Sequence, residues 1–455
     1  MPTVDIAPLA DALPDGMVVT DPDVLEGYRR DRAQDPDAGT PRALVRPITT
    51  EQVQTTVRWC AANGVGIVTR GAGTSLSGGA TAVDGAIMLS TEKMRQIVID
   101  TGTRTAVSQP GVFNAEVKEA ARAHGLWYPP DPSSFEICTI GGNVATNAGG
   151  LCCVKYGVTT DYVLGLQVVL ADGRAVRLGG KQLKDSAGLP LTKLFVGSEG
   201  LLGIVTEVTL RLIPAQAAAS TVVGTFGSVR QAAEAVLEIT GRIRPALLEF
   251  MDKVSINAVE DMLHMDLDRD AGALLVAQSD APGPAAAAEV ALIEEVFGRH
   301  GASEVFSTAD PDEGEAFTAA RRAAIPAVER LGSLLLEDVG VPIAMLPVLI
   351  DRVGAIAADE RVMISVIAHA GDGNTHPLIV FGPDDADETR RAHSAFGRVM
   401  DVAIELGGTI TGEHGVGRLK KAWLPDQVGP DVMAMTAAIK KALDPDGLLN
   451  PGVLL

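Results

Sequence analysis

Two glycine-rich stretches near the front of the chain limit what it can fold into more than any other feature. The first, RGAGTSLSGG at residues 70–79, follows the apolar VGIVT and leads to more glycine and the strand-like AIMLS. A Rossmann loop of the G-x-G-x-x-G kind is excluded, because Leu76 fills the sixth position and no helix pattern opens after it. A phosphate loop of the G-x-x-x-x-G-K-[ST] kind is absent as well. The chemistry survives both exclusions. Consecutive small residues let backbone N–H groups converge on an anion, and Thr74, Ser75 and Ser77 add hydroxyl donors. Taken alone, the stretch fits a flexible turn as well as a pyrophosphate cradle.

The second stretch, TIGGNVATNAGG at residues 139–150, alternates glycines with amides and hydroxyls. Asn143, Thr146 and Asn147 are directional partners for a flat polar heterocycle. Two such loops without a Rossmann pattern point to a nucleotide cofactor held by a different fold.

At 455 residues the chain has room for about three globular units. A formal charge of −20 argues against nucleic acid or an anionic membrane as partner, since neither is drawn to a strongly acidic field. The N-terminal residues lack a basic region followed by an apolar run, and no stretch has the roughly 18 uninterrupted apolar residues of a membrane span. The four cysteines, Cys60, Cys138, Cys152 and Cys153, form no C-x-x-C motif and fit a reduced compartment. The expected setting is cytoplasmic.

Residues 1–40 read as a lead-in. TTEQVQTTVRWCAANG reads as a helix, with Thr49 and Gln52 in a capping box and Asn63-Gly64 as its stop. NAEVKEAARAHG reads as another helix, ending at Gly125. Residues 126–165 carry so little periodicity that they read as a long functional loop. LGLQVVLADGRAVRLG is a hairpin turning at Asp172-Gly173, and GSEGLLGIVTEVTLRLIP reads as a turn, a short helical step and a strand. The expected division is a domain over 41–215 and a second over 216–455, whose final segment returns to the first domain's site. The second half alternates amphipathic helices (VRQAAEAVLEITGRI, GPAAAAEVALIEEVFGRHG) with strands such as ALLVAQSD.

That second half also holds HAGDGNTH, which spends two of the chain's seven histidines, His369 and His376, on the two sides of one turn. Ligands on a helix fall at i and i+4, so this spacing meets only across a hairpin mouth. TGEHGVG supplies Glu413 and His414, and Glu413 completes a two-histidine, one-carboxylate set of the kind Zn²⁺ or Mn²⁺ takes. Spacing alone fits buried, hydrogen-bonded histidines equally well. FTAARRAAIPAVERL offers Arg321 and Arg322 as a fork for a carboxylate, or as a solvated pair on a helix.

Taken in order, VTRGAGTSLSGGA, PPDPSS, TIGGNVATNAGG, KYG, GSEGLLGIVTEVTLRL, HAGDGNTH, GEHG and DPDGLLNPG resemble the FAD-linked oxidases of the vanillyl-alcohol oxidase type over roughly 40–455. The branch they resemble most contains glycolate oxidase D-subunits, D-lactate dehydrogenases and D-2-hydroxyglutarate dehydrogenases. The resemblance implies an α+β fold: an FAD-binding unit of two α+β subdomains, then a substrate domain built on an antiparallel sheet with flanking helices. It places the FAD pyrophosphate at Gly71, Ala72, Gly73, Thr74 and Ser75, with Arg70 and Gly79 also binding the cofactor. The flavin ring falls to Gly142, Asn143, Thr146 and Gly150, with Asp131, Thr139, Asn147, Ile204, Val205 and Asn450 as further contacts. It makes His369, His376 and Glu413 metal ligands, His414 the general base and Arg321 the substrate clamp.

The implied reaction is oxidation of a D-2-hydroxy acid to the 2-oxo acid by hydride transfer to flavin. Neither glycine loop contains a histidine, so FAD is expected to be noncovalent. Cys152 and Cys153 are expected to pack rather than to link flavin. Pro377-Leu378 stand where hydroxyglutarate-type relatives carry Leu-Asn, and LLLEDVGVP lacks a basic residue. The first departure puts one polar substrate or metal contact of the family in doubt; the second favours a lactate- or glycolate-like substrate. Electrons must leave to an external acceptor, an iron–sulfur or quinone-linked protein, because the chain has no cysteine cluster of its own. A homodimer is compatible with this reading. Two alternatives stay open: a metal-free oxidase working with His414 alone, and a flavin-carrying subunit that needs an iron–sulfur partner.

Overall fold

The computed structural model describes residues 4–455 and divides into two compact units. One comprises the residues up to Gly149 together with Val158–Ala215 and Glu413–Leu455; the other comprises Gly150–Gly157 and Gln216–Gly412.

The first unit grows from the helix Thr50–Asn63. Thr49 and Gln52 close a reciprocal capping box at its start, and Gly64 adopts the left-handed conformation (φ 61°) that ends it. Its buried face, Val53, Val57 and Cys60, packs against Ala43, Val45, Ile67, Ile87 and Leu89. Each large apolar side chain buried this way contributes about 1.5–3 kcal/mol. Burial also pushes the Cys60 thiol up to about 12, so it behaves as a small hydrophobe.

The sheet beneath has the order Val18–Val19, Ala43–Val45, Ile87–Ser90, Ile67–Arg70, and its last three strands are parallel. The far edge of Ile67–Arg70 is covered by the chain's end. Ile67 N–H donates to the Leu448 carbonyl and Asn450 N–H donates to the Ile67 carbonyl, both at 2.7 Å. That pairing protects an exposed strand edge and carries Asn450 to the glycine-rich loop.

A second sheet of this unit is wholly antiparallel, in the order Ile97–Asp100, Thr105–Ser108, Ile204–Arg211, Val163–Val169, Ala175–Gly179. The hairpin read from LGLQVVLADGRAVRLG forms as expected, turning at Gly173 (φ 79°). Residues 126–165 hold more regular structure than their composition suggests, with the short helices Ile140–Thr146, Cys153–Tyr156 and Thr159–Tyr162. They are too short to show a period, which is why the sequence hides them. The helical step expected after GSEG is a pair of turns; the short helix Leu191–Phe195 lies before it.

The second unit is one antiparallel sheet of eight strands backed by helices. Its order is Ala302–Thr308, Ser220–Phe226, Ala273–Ser279, Leu247–Asp252, Met363–His369, Asn374–Phe381, Ser333–Leu336, with Val339–Gly340 also pairing to Asn374–Phe381. The α+β architecture expected from the sequence is what the chain adopts. Among the described residues, no helix is long and apolar enough to cross a membrane.

Candidate active site

Residues of both glycine-rich stretches line one cavity in the first unit, of about 1110 Å³ including its open mouth. From the first stretch come Gly71, Ala72, Gly73, Thr74, Ser75 and Gly79; from the second, Thr139, Gly142, Asn143 and Thr146. Ile204 and Val205 open the strand that closes one wall, and Asn450 arrives with the C-terminal segment. Glu413 and His414 line the same cavity.

The two glycine-rich stretches meet closely at the backbone. A side chain on Gly71 would lie 2.4 Å from Thr139 Oγ1, so the two loops approach closer than any Cβ allows. Thr139 cannot move aside freely, because its hydroxyl caps the helix Ile140–Thr146 by accepting from Gly142 N–H at 3.3 Å. Asn450 adds a directional group. Its Nδ2 donates to the carbonyls of Gly79 (3.0 Å) and Glu199 (2.6 Å), while its buried Oδ1 has no partner. A buried acceptor at a cavity wall suits a ligand carrying N–H groups, as the flavin ring does.

Four of the expected cofactor contacts do not line this cavity. Arg70 lies behind the loop, donating to the Arg30 carbonyl at 2.9 Å, and opens onto an adjoining cleft with Gly71, Ala72 and Thr139. Asp131 is buried and does not line the cavity, although Pro132 beside it does. Asn147 is the left-handed C-cap (φ 55°) of Ile140–Thr146 and accepts from Thr160 N–H at 2.9 Å. Gly150 begins the segment that belongs to the second unit.

Among the lining residues that escaped the sequence reading, two carry ionisable groups. Cys138 receives a hydrogen bond from Asn143 Nδ2 at 3.2 Å, and burial raises its thiol pKa. A thiol held protonated is a poor flavin nucleophile. Cys152 and Cys153 are half-buried and do not line the cavity. The other residue is Glu199. Its carboxylate accepts from Val416 N–H at 2.8 Å and Gly417 N–H at 2.7 Å, and burial pushes the group up to about 7 against the pull of those two amides.

The histidine turn lies in the second unit, and its register explains its geometry. His369 pairs with Asn374, and Ile367 with His376, so the two histidines are diagonal neighbours on one sheet face. Their rings meet edge to face, with centroids 5.2 Å apart. Glu249 stands directly across from His369 on the next strand, its carboxylate 2.9 Å from His369 Nδ1. The same carboxylate receives Arg321 Nη2 at 3.0 Å, and Arg321 is 1% exposed. Arg321 therefore sits in a buried chain of Arg321, Glu249 and His369. Arg322 turns outward to Glu315 at 2.7 Å.

His376 Nδ1 lies 3.3 Å from the Glu337 carbonyl and 3.9 Å from Asp338 Oδ1. Each imidazole thus turns Nδ1 toward a supporting oxygen, which leaves Nε2 as the atom directed elsewhere. Asp338 also holds the segment that leads to GEHG. It accepts from Thr411 Oγ1 at 2.7 Å and Gly412 N–H at 3.0 Å. A Cβ on Gly412 would fall 2.2 Å from Asn374 Oδ1, so this stretch runs tight against the histidine turn. The next residue is Glu413, where the chain passes into the first unit, and Glu413 Oε1 lies 3.6 Å from His414 Nε2.

Gly71→Ala should purify folded but largely without flavin, because the added methyl displaces Thr139 and uncaps the helix under the cavity. The ratio of flavin to protein absorbance checks this; a full complement of flavin would contradict it.

Comparison with known proteins agrees with this geometry. The model for the C-terminal domain of FAD linked oxidases matches residues 215–454, and that for an FAD binding domain matches 41–179. The chain is 41% identical to the glycolate oxidase subunit GlcD of Bacillus subtilis, over 90% of this chain and 88% of that one. It is 33% identical to a D-lactate dehydrogenase of Archaeoglobus fulgidus, over 94% and 95%. Among solved structures it superposes on p-cresol methylhydroxylase with a TM-score of 0.81 at 17% identity, covering 98% of this chain and 95% of that one. On these family matches and relatives, the chain belongs to the FAD-linked oxidases and is an FAD-binding oxidoreductase.

Proposed function

We propose that this protein oxidises a D-2-hydroxy acid of lactate or glycolate size to the 2-oxo acid, passing two electrons to noncovalently held FAD. The observation that carries the reading is the position of Glu413 and His414. They line the same cavity as both glycine-rich loops and follow directly on the Thr411–Gly412 segment that Asp338 holds. The glycolate and D-lactate enzymes among the relatives support the same substrate class.

In this reading His414 accepts the hydroxyl proton, as a neutral imidazole near its working pH can. Glu413, 3.6 Å away, favours the imidazolium that results. FAD, when bound, supplies the acceptor for the α-hydrogen and its electron pair, so substrate and flavin together balance as 2-oxo acid and reduced flavin. The family resemblance makes His369, His376 and Glu413 the candidate ligands of a divalent ion, Zn²⁺ or Mn²⁺, whose charge would lower the hydroxyl pKa. Two imidazoles backed by carboxylate or carbonyl oxygens, with a third donor of carboxylate type, is the chemistry such an ion takes. Arg321, in the chain that ends at His369, is the guanidinium proposed for the substrate carboxylate.

The small size assigned to the substrate rests on the segment LLLEDVGVP, which carries no basic residue to pair with a second carboxylate. Electrons leave to a separate acceptor, proposed to be an iron–sulfur or quinone-linked protein; the relatives named as subunits support partner subunits. The proposed setting is cytoplasmic.

Anaerobic mixing with a panel of D- and L-2-hydroxy acids, followed by loss of flavin absorbance, tests the reading. Short D-monocarboxylates should bleach the flavin; bleaching only by alcohols without an adjacent carboxylate would end it. Treatment with a chelator should slow bleaching while FAD stays bound, and added Mn²⁺ or Zn²⁺ should restore it. Full activity in metal-free protein would leave the flavin and His414 working alone.

Glu249→Gln keeps the shape of the residue but removes the charge that orients His369. It should lower metal affinity about 10–100-fold. Metal titration of the chelated protein measures this, and an unchanged affinity would remove Glu249 from the site.

A further inference from the structure

Glu199 has no role in the chemistry above, yet it is one of the most heavily engaged residues around the cavity. It is 7% exposed and adopts the left-handed backbone conformation (φ 49°), uncommon for a side chain of its size. Every polar group of the residue is in use. Its N–H donates to the Ala145 carbonyl at 2.8 Å, inside the helix formed by the second glycine-rich stretch. Its carbonyl accepts from Asn450 Nδ2 at 2.6 Å. Its two carboxylate oxygens each take one backbone amide, Oε1 from Val416 at 2.8 Å and Oε2 from Gly417 at 2.7 Å. Those amides are the second and third residues after His414.

A buried carboxylate is costly to keep unless it is well paired. Two charge-assisted bonds to successive N–H groups are strong, directional and fix the peptide plane that joins them. An apolar residue of similar size would fill the space at lower cost but would leave the turn after His414 without an anchor. On the other side, Ser77 of the first glycine-rich stretch donates its hydroxyl to the His414 carbonyl at 2.9 Å. The histidine is therefore gripped at its own carbonyl and two residues later, both times through backbone.

We propose that Glu199 is a positioning residue, whose carboxylate holds the Val416–Gly417 amides so that His414 faces the flavin cavity in the orientation needed to accept the substrate proton. This rests on the reading of His414 as the proton acceptor. It assigns Glu199 a part in the rate of the reaction rather than in the binding of FAD.

The test compares the FAD-loaded protein with Glu199→Gln, which keeps size and one carbonyl acceptor but turns an N–H₂ donor toward one of the two amides. Flavin reduction by the best D-2-hydroxy acid should slow about 10–100-fold, with the flavin-to-protein ratio unchanged and KM shifted far less than kcat. Hydrogen exchange at the Val416 and Gly417 amides should accelerate in the same variant, while the peptide covering 140–146 exchanges as before. An unchanged reduction rate, unchanged exchange at 416–417, or loss of activity only in step with loss of FAD would each overturn the proposal. Should Glu199→Gln fail to retain FAD, Glu199→Asp takes its place with the charge kept and the reach one methylene short; loss of FAD there too would make the residue scaffold and refute the assignment. If the wild-type flavin is reduced by no hydroxy acid, the functional reading falls, and exchange at the two amides alone decides whether Glu199 anchors the turn.

Discussion

The cavity depends on a chain that brings its last residues back to its first sheet. Two hydrogen bonds at Ile67, one to Leu448 and one from Asn450, fix that return. They complete a strand edge that would otherwise lie open, and so gain stability in the ordinary currency of sheet pairing. They also set Asn450 where its amide donates to the carbonyls of Gly79 and Glu199. A structural closure thus fixes one wall of the flavin site, and the first glycine-rich loop is shaped against the chain's end as much as against its neighbours in sequence.

The second unit solves a different problem, that of keeping ionisable groups dry. His369, Glu249 and Arg321 are all within a few per cent of fully buried. Separately each would be costly; placed together as cation, carboxylate and imidazole they offset one another's charge. Removing one partner of such a group costs about 3–5 kcal/mol, because a charge is left without compensation. Asp338 works on the same principle near His376, with the Thr411 hydroxyl and the Gly412 amide as its donors. Backbone register does the aiming. Strands paired as His369 with Asn374 and Glu249 with His369 leave no freedom about which face the imidazoles occupy.

How much of this could be read from the sequence follows from the range of each interaction. The capping box at Thr49 and Gln52 is local, and so is the Asp172-Gly173 hairpin; both formed where the residues said they would. The glycine-rich stretches were legible as chemistry because they state it in consecutive residues. Glu199, Glu249 and Asp338 were not legible. Each is an acid next to apolar residues (GSEGLL, LLEFMD, LLLEDVG), which is a signal of burial, but its partner lies far away in the sequence. For the same reason Arg321 could be read as a fork for a carboxylate while the buried Glu249 it pairs with went unseen. Asn147 looked like a ligand group because its helix, seven residues long, was too short to show itself and reveal the residue as a cap.

The account's central claim is that the flavin cavity takes the α-hydrogen of a 2-hydroxy acid while His414 takes the hydroxyl proton. The most direct measurement is the rate of anaerobic flavin reduction with D-lactate carrying deuterium at the α-carbon. The account predicts a primary isotope effect, a slowing of several-fold, at saturating substrate. Equal rates for the deuterated and ordinary substrate, with the ordinary one reducing the flavin only as slowly as an unrelated alcohol, would contradict it.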